Sequence, residues 1–185
     1  MTKINFIKMH GLGNDFVIID RRFNITKITK QVISKLSDRK TGAGCDQVIT
    51  IDNKTSDNHD ACIQIFNPNG DSAEACGNGT RCVAKILFNE NNSSNIKLKS
   101  IAGILDAQKV NDKLISVNLG KISHNWEDIP LATKVNTINL PIKLENLSTG
   151  VAVNVGNPHV VFFGKNIEKF NLEKFGPQIE NDSLF

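Results

Sequence analysis

Apolar and polar positions alternate in short runs through the first 119 residues, and turn residues separate the runs. "INFIKM" and "FVIID" read as two strands flanking the turn "HGLGND". In "TKQVISKLSDR", Val32, Ile33 and Leu36 fall at helical spacing behind Thr29, whose hydroxyl suits a helix cap. "DQVITI" and "DACIQIF" return to strand, the second setting Ile63 and Ile65 against Gln64, with Cys62 read as a core filler. "GTRCVAKILFNE" predicts a helix with Val83, Ile86 and Leu87 on one side, with Cys82 among them as another filler, ending near the Asn-rich "NENNSSN". The strands "IKLKS", "GILDAQKV" and "KLISVNLG" follow.

Around Gly120 the pattern changes. "KISHNWEDIPLATK" has no period and reads as a link between two domains, 1–119 and 120–185. Beyond it, "VNTINLPI", "VAVNVGNPH" and "VVFFG" read as strands, and "NLEKFGPQIE" as a helix. The pattern therefore predicts an α+β protein, and 185 residues suffice for one large or two small domains. A net charge of +3, from 18 Lys and 4 Arg against 19 acidic residues, contains no basic block, which argues against a nucleic-acid partner. "MTKINFIKMHG" lacks the apolar stretch of a signal peptide, and no apolar run nears the roughly 18 residues of a membrane span. A cytoplasmic protein follows as the expectation, with Cys45, Cys62, Cys76 and Cys82 as reduced thiols.

The candidate chemistry centres on "NPNGDSAEACGNGTRC", residues 67 to 82. Gly77, Asn78 and Gly79 open the predicted helix, and the first N–H groups of a helix have no intrahelical partner. Those donors and the helix dipole favour negative charge there, a Cys76 thiolate or a ligand carboxylate. The competing reading is a small buried thiol beside a glycine turn. Cys45, in "TGAGCDQ", reads as packing. A zinc site needs paired ligands at short spacing, whereas Cys76 and Cys82 are six apart and the four histidines are scattered. "GLGNDF" and "GNGTRC" imitate fragments of a dinucleotide loop. The first is followed by a strand, and the second lacks the third glycine. "GNPH" breaks two apolar runs and sets Asn157 and His159 on a loop, while Asn14, Gln47 and Asn67 fall at strand–turn junctions. Together these amides would suit a zwitterionic amino acid; singly, each is an ordinary turn residue.

"KMHGLGNDFVIID", "GAGCDQ", "IFNPNGDSAEACGNGTRC" and "VNVGNPHVVFFG", in this order and spacing, resemble the diaminopimelate epimerase family over nearly the whole chain. The resemblance implies two similar α+β halves, each a curved sheet around a central helix, with the second half incomplete here. It implies interconversion of L,L- and meso-diaminopimelate, a step towards lysine and peptidoglycan, with no metal, pyridoxal phosphate or other cofactor. It makes Cys76 one of two catalytic thiols, with His159 tuning them and Gly77 and Asn78 holding the substrate carboxylate. Asn14, Gln47, Asn67 and Asn157 become substrate contacts. The family's second cysteine, a Glu-Arg pair and a further asparagine have no counterpart among these 185 residues. The reading is therefore of the first two-thirds of an epimerase, inactive alone, whose open strand edges invite a homodimer. Two alternatives stay open: a racemase or isomerase of the same fold with another substrate, and a non-catalytic ligand-binding fragment.

Overall fold

A computed structural model describes residues 3–24, 27–74, 76–144 and 147–185. They form two compact units, Met1–Gly120 and Lys121–Phe185. In the first unit, β1 (Ile7–Gly11) and β2 (Asn14–Asp20) form a hairpin closed by Leu12 and Gly13, both at positive φ. Two consecutive left-handed residues make the tight turn whose twist matches antiparallel strands, and only the second is a glycine here. β2 runs parallel to β3 (Gln47–Asn53), so the chain must cross over, and α1 (Lys30–Ser37) lies in the crossover. Thr29 caps it, its hydroxyl accepting from the Val32 N–H at 3.3 Å.

β4 (Ala61–Phe66) pairs with β3 and with the short β5 (Ser72–Ala73). A second crossover carries α2 (Gly77–Asn91), after which β6 (Asn95–Ser100) lies parallel to β4. β7 (Gly103–Lys109) and β8 (Ile115–Asn118) complete the sheet. Its main path runs β1-β2-β3-β4-β6-β7-β8. Laid flat, those strands would spread over roughly 29 Å, whereas a helix is only about 10–12 Å across. Yet α2 touches β1 and β2 at one end of the path and β6, β7 and β8 at the other. The sheet must therefore curl around α2.

Cover on both faces explains the apolar run "FVII" and the run "VITI", in which Thr50 is itself buried. Phe16, Ile18, Ile49 and Ile51 face α2, with Val83, Leu87 and Leu98. The alternate residues Val17, Ile19 and Val48 face the other way, against Ile33 and Cys45. A strand covered on both faces has no polar side to show. β6, covered on one face, alternates, with Ile96 and Leu98 buried and Lys97 and Lys99 exposed. Cys62 breaks the core-filler expectation. Strand alternation turns it away from Ala61, Ile63 and Ile65, and it lies half-buried outside the core.

Among its described residues the second unit holds one hairpin, β9 (Val151–Asn154) and β10 (Pro158–Val161), a 3₁₀ turn (Ile167–Lys169) and α3 (Leu172–Glu180). Its core is small: Ile129, Leu131, Leu140, Ala152 and Leu184. "KISHNWEDIPLATK" is thus no linker. Ile129 and Leu131 are buried there, Trp126 packs against them, and Ser123 exchanges two 2.9 Å backbone bonds with Asn154. "VNTINLPI" is not a strand either. Asn136 Oδ1 accepts from the Ile138 N–H at 3.1 Å and Asn136 O accepts from the Asn139 N–H at 3.1 Å. Those bonds fold the segment into a turn, and local asparagine chemistry overrides the apolar pattern.

Candidate functional site

The helix expected after Cys76 starts at Gly77, and Cys76 is its N-cap. The Gly79 N–H donates to Cys76 Sγ at 3.4 Å, and the Thr80 N–H donates to Cys76 O at 2.9 Å. Among the described residues, the N–H groups of Gly77 and Asn78 donate to nothing. The first turn carries no acidic residue, so its positive end is uncompensated within the helix. Gly79 is required for space. A Cβ there would lie 2.5 Å from Ile49 Cδ1 and 3.3 Å from Phe16 Cε1. At Gly77 it would make only ordinary contacts, with Leu119 at 3.5 Å and Arg81 Nη1 at 3.9 Å. Gly11 admits the close approach of β1 to Asn78, whose backbone oxygen would be 3.2 Å from an added Cβ.

The β1–β2 hairpin brings Asn14 to this helix start. The Cys76 thiol donates to Asn14 Oδ1 at 3.7 Å, and Asn78 Nδ2 donates to the same oxygen at 3.4 Å. Arg81, one turn along α2, donates to Asn78 Oδ1. Behind Asn14 lies a charged cluster that the sequence reading did not single out. Asn14 Nδ2 donates to Asp46 Oδ2 at 2.8 Å, and the Asp15 N–H donates to the same oxygen at 2.9 Å. Arg39 bridges Asp15 and Asp46, each at 2.7 Å, and Lys8 reaches Asp15 at 2.7 Å. The Arg39 guanidinium, helped by Lys8, holds the Asp15 carboxyl well below the usual carboxylate range. The hydrogen bond from Asn14, followed by the Asp15 N–H, lowers Asp46 as well. Two cues to these residues were present: Asp46 directly precedes Gln47 in "GAGCDQ", and Arg81 stands three residues after Asn78, one helical turn away.

Gln47 and Asn67 form a second pair, with Gln47 Nε2 donating to Asn67 Oδ1 at 3.0 Å. Gln47 Oε1 is buried and, among the described residues, has no partner. A buried carbonyl oxygen left unpaired is costly, and a ligand N–H would satisfy it. Asn157 and His159 belong to the second unit. Asn157 lies in the β9–β10 turn, as expected, but His159 stands inside β10, opposite Val153, because the strand begins at Pro158. Its side chain is exposed, and Nδ1–H donates to Asn157 O at 2.9 Å.

The other cysteines are held differently. Cys45 is buried with its thiol donating to Ser37 Oγ at 3.6 Å, in keeping with a packing role. Burial pushes the Cys82 thiol up from its ordinary pKa, which keeps it neutral and unreactive. Cys62 Sγ lies 3.3 Å from His59 Nε2. That nitrogen already accepts from the Thr55 N–H at 3.1 Å, and a neutral imidazole has one acceptor nitrogen, so His59 is a poor base for this thiol.

A curled sheet wrapped on one helix is a fold also seen in solved structures. A probable proline racemase from Agrobacterium radiobacter matches with a TM-score of 0.61 at 12% identity, over 85% of this chain and 51% of that one. A predicted epimerase from Pseudomonas aeruginosa matches with a TM-score of 0.60 at 11% identity, over 94% and 67%. At such identities the likeness establishes the fold alone. The sequence narrows it. The profile of the family "Diaminopimelate epimerase" matches residues 6–125. A diaminopimelate epimerase from Wolbachia sp. subsp. Drosophila simulans is 44% identical over 98% of this chain and 67% of its own length. One from Pelagibacter ubique is 42% identical over the same shares. The chain belongs to the diaminopimelate epimerase family, and it spans about two thirds of the length of these curated relatives.

Proposed function

We propose that this chain supplies one face of a cofactor-independent site that epimerises diaminopimelate in the cytoplasm, for lysine and peptidoglycan synthesis. What chiefly supports the reading is Cys76: a half-buried thiol that caps a helix whose next two N–H groups are unclaimed among the described residues. Inverting a stereocentre needs a base on one face of the α-carbon and an acid on the other. A thiolate takes the α-proton, the C–H electron pair moves onto the α-carboxylate, and a thiol on the opposite face returns a proton. The N–H groups of Gly77 and Asn78 would bind that carboxylate and stabilise the charge it gains, already oriented for it. Asn14, Gln47 and Asn67 would hold the rest of the substrate, with the unpaired Gln47 Oε1 suited to an ammonium group. Asn157 would add a further contact and His159 would tune the thiols.

The family's second cysteine has no counterpart in these 185 residues. The chain by itself should therefore exchange the α-proton of one stereoisomer slowly, with configuration retained. Loss of a positioned acid or base costs about 10²–10⁴ in rate. Deuterium uptake and chiral chromatography on each isomer, with Cys76→Ala as control, test this. Rapid inversion that survives Cys76→Ala would refute the assignment. Calorimetric binding of diaminopimelate without any exchange would favour a ligand-binding role instead.

A further inference from the structure

We propose that Asp46 and Arg81 are positioning residues that pin the two ends of a chain of amides, so that Asn14 presents its carbonyl oxygen, not its NH₂ group, to the Cys76 thiol. The inference deepens the functional reading above and rests on it. It follows from what each group can give. An ionised Asp46 only accepts, and an arginine only donates. Asp46 Oδ2, 2.8 Å from the Asn14 side chain, therefore selects the Nδ2 end and turns Oδ1 towards Cys76. Arg81 selects the Oδ1 end of Asn78 and turns Nδ2 towards Asn14, 3.4 Å away. The two ends agree. Between a fixed cation and a fixed anion, both amides have one orientation that satisfies every contact.

Rotating the Asn14 amide by half a turn would set its oxygen against the Asp46 carboxylate and its NH₂ against that of Asn78. Both contacts would then be repulsive. In the pinned orientation the Cys76 sulfur has an acceptor on one side, Asn14 Oδ1, and a donor on the other, the Gly79 N–H at 3.4 Å. A neutral thiol, with one S–H to give and a lone pair to share, matches that pair of neighbours. The chain thus aims the S–H of Cys76 before any substrate arrives. Asp46 and Arg81 touch neither the thiol nor, on this reading, the α-carbon.

The test uses the 185-residue chain without substrate, so it is independent of whether diaminopimelate is turned over. Side-chain amide resonances of Asn14 and Asn78 are followed in ¹⁵N-labelled protein, and Cys76 alkylation by iodoacetamide is followed by mass spectrometry. Asp46→Asn lets the Asn14 amide rotate and offer an N–H to the sulfur, which favours the thiolate. Exchanging an acceptor for a donor is worth about one hydrogen bond, or roughly two- to tenfold in alkylation rate. The expected result is faster alkylation together with displaced Asn14 amide resonances. Arg81→Met should shift the Asn78 resonances and raise alkylation less, and it serves as the test if Asp46→Asn does not fold. Arg39→Met removes a partner of Asp46 without touching either amide, and should leave both readouts alone. Unchanged Asn14 resonances in folded Asp46→Asn would overturn the proposal. So would an equal effect of Arg39→Met, which would make Asp46 a packing residue only. If alkylation behaves as expected but no isomer exchanges its α-proton, the functional reading fails and the positioning stands.

Discussion

The two units solve the same problem with unequal means. In the first, β2 and β3 lie between two helices, and Phe16, Val17, Ile18, Val48 and Ile49 are completely buried. In the second, β9 and β10 form a two-stranded sheet, in which Ala152 alone is fully buried. A cavity of about 880 Å³ opens beside that pair, lined by side chains such as Phe162, Ile167, Phe170 and Ile179. Two-stranded hairpins are marginal in water, whereas sheets sandwiched by helices are not. Stability and preorganisation should therefore be concentrated in the unit that holds Cys76.

Truncation of each core should show the contrast most strongly. Leu98→Ala should cost the first unit about 2–5 kcal/mol, because neighbours fixed on every side cannot collapse into the space. Leu140→Ala should cost the second unit less, since its surroundings can relax. Trp126, the single tryptophan, sits against the second core and reports that unit alone. Its fluorescence should change at lower denaturant than the far-ultraviolet circular dichroism of the whole chain. Coincident transitions would mean that the contrast in burial carries no contrast in stability.

Next in size is a pair of glycine substitutions at the candidate site. Gly79→Ala should destabilise by about 1–3 kcal/mol through overpacking against Ile49 and Phe16, and should disturb the Cys76 cap. Gly77→Ala meets only ordinary contacts, with Leu119 and Arg81, and should change the melting temperature little. Equal losses would show that helix-start backbone freedom, not space, sets the need for glycine. Thr29→Ala removes the α1 cap and should cost about 1 kcal/mol by chemical denaturation.

The acid response of the Asp15–Arg39–Asp46 cluster comes last, because the Arg39 end of its ion pairs is solvent-exposed. Both carboxyls are held below their ordinary values, so their contribution is complete above an unfolded value near 3.8 and is lost as pH falls through the lower folded values. Stability should therefore decline below about pH 4 by less in Arg39→Met than in the parent chain. An identical decline in both would show that these ion pairs add nothing measurable.

How far the fold was legible in the chain differs between the units for a physical reason. "FVIID" and "DQVITI" announced strands, and Thr29 and Cys76 announced helix starts, because period and capping are local properties. "VNTINLPI" carried a strand-like pattern too, but Asn136 closes local hydrogen bonds that compete with a ladder. In "KISHNWEDIPLATK" a missing period suggests no packing role, yet Ile129 and Leu131 fill a core through turns. Cys62 departs from the core-filler expectation because composition marks a thiol as apolar, while only strand register decides which face it takes.

The same division runs through the candidate site. By itself the sequence determined the thiol at a helix start, the glycines after it, and the amides at the turns; resemblance and 44% identity to a relative then determined the family. Only the tertiary structure brought Asn14 to Cys76 across 62 residues and placed Asp46 behind Asn14. Hydrogen-bond direction depends on which donors and acceptors meet in space. A side-chain amide reads the same along the chain whichever way it points, and here two distant charges decide it.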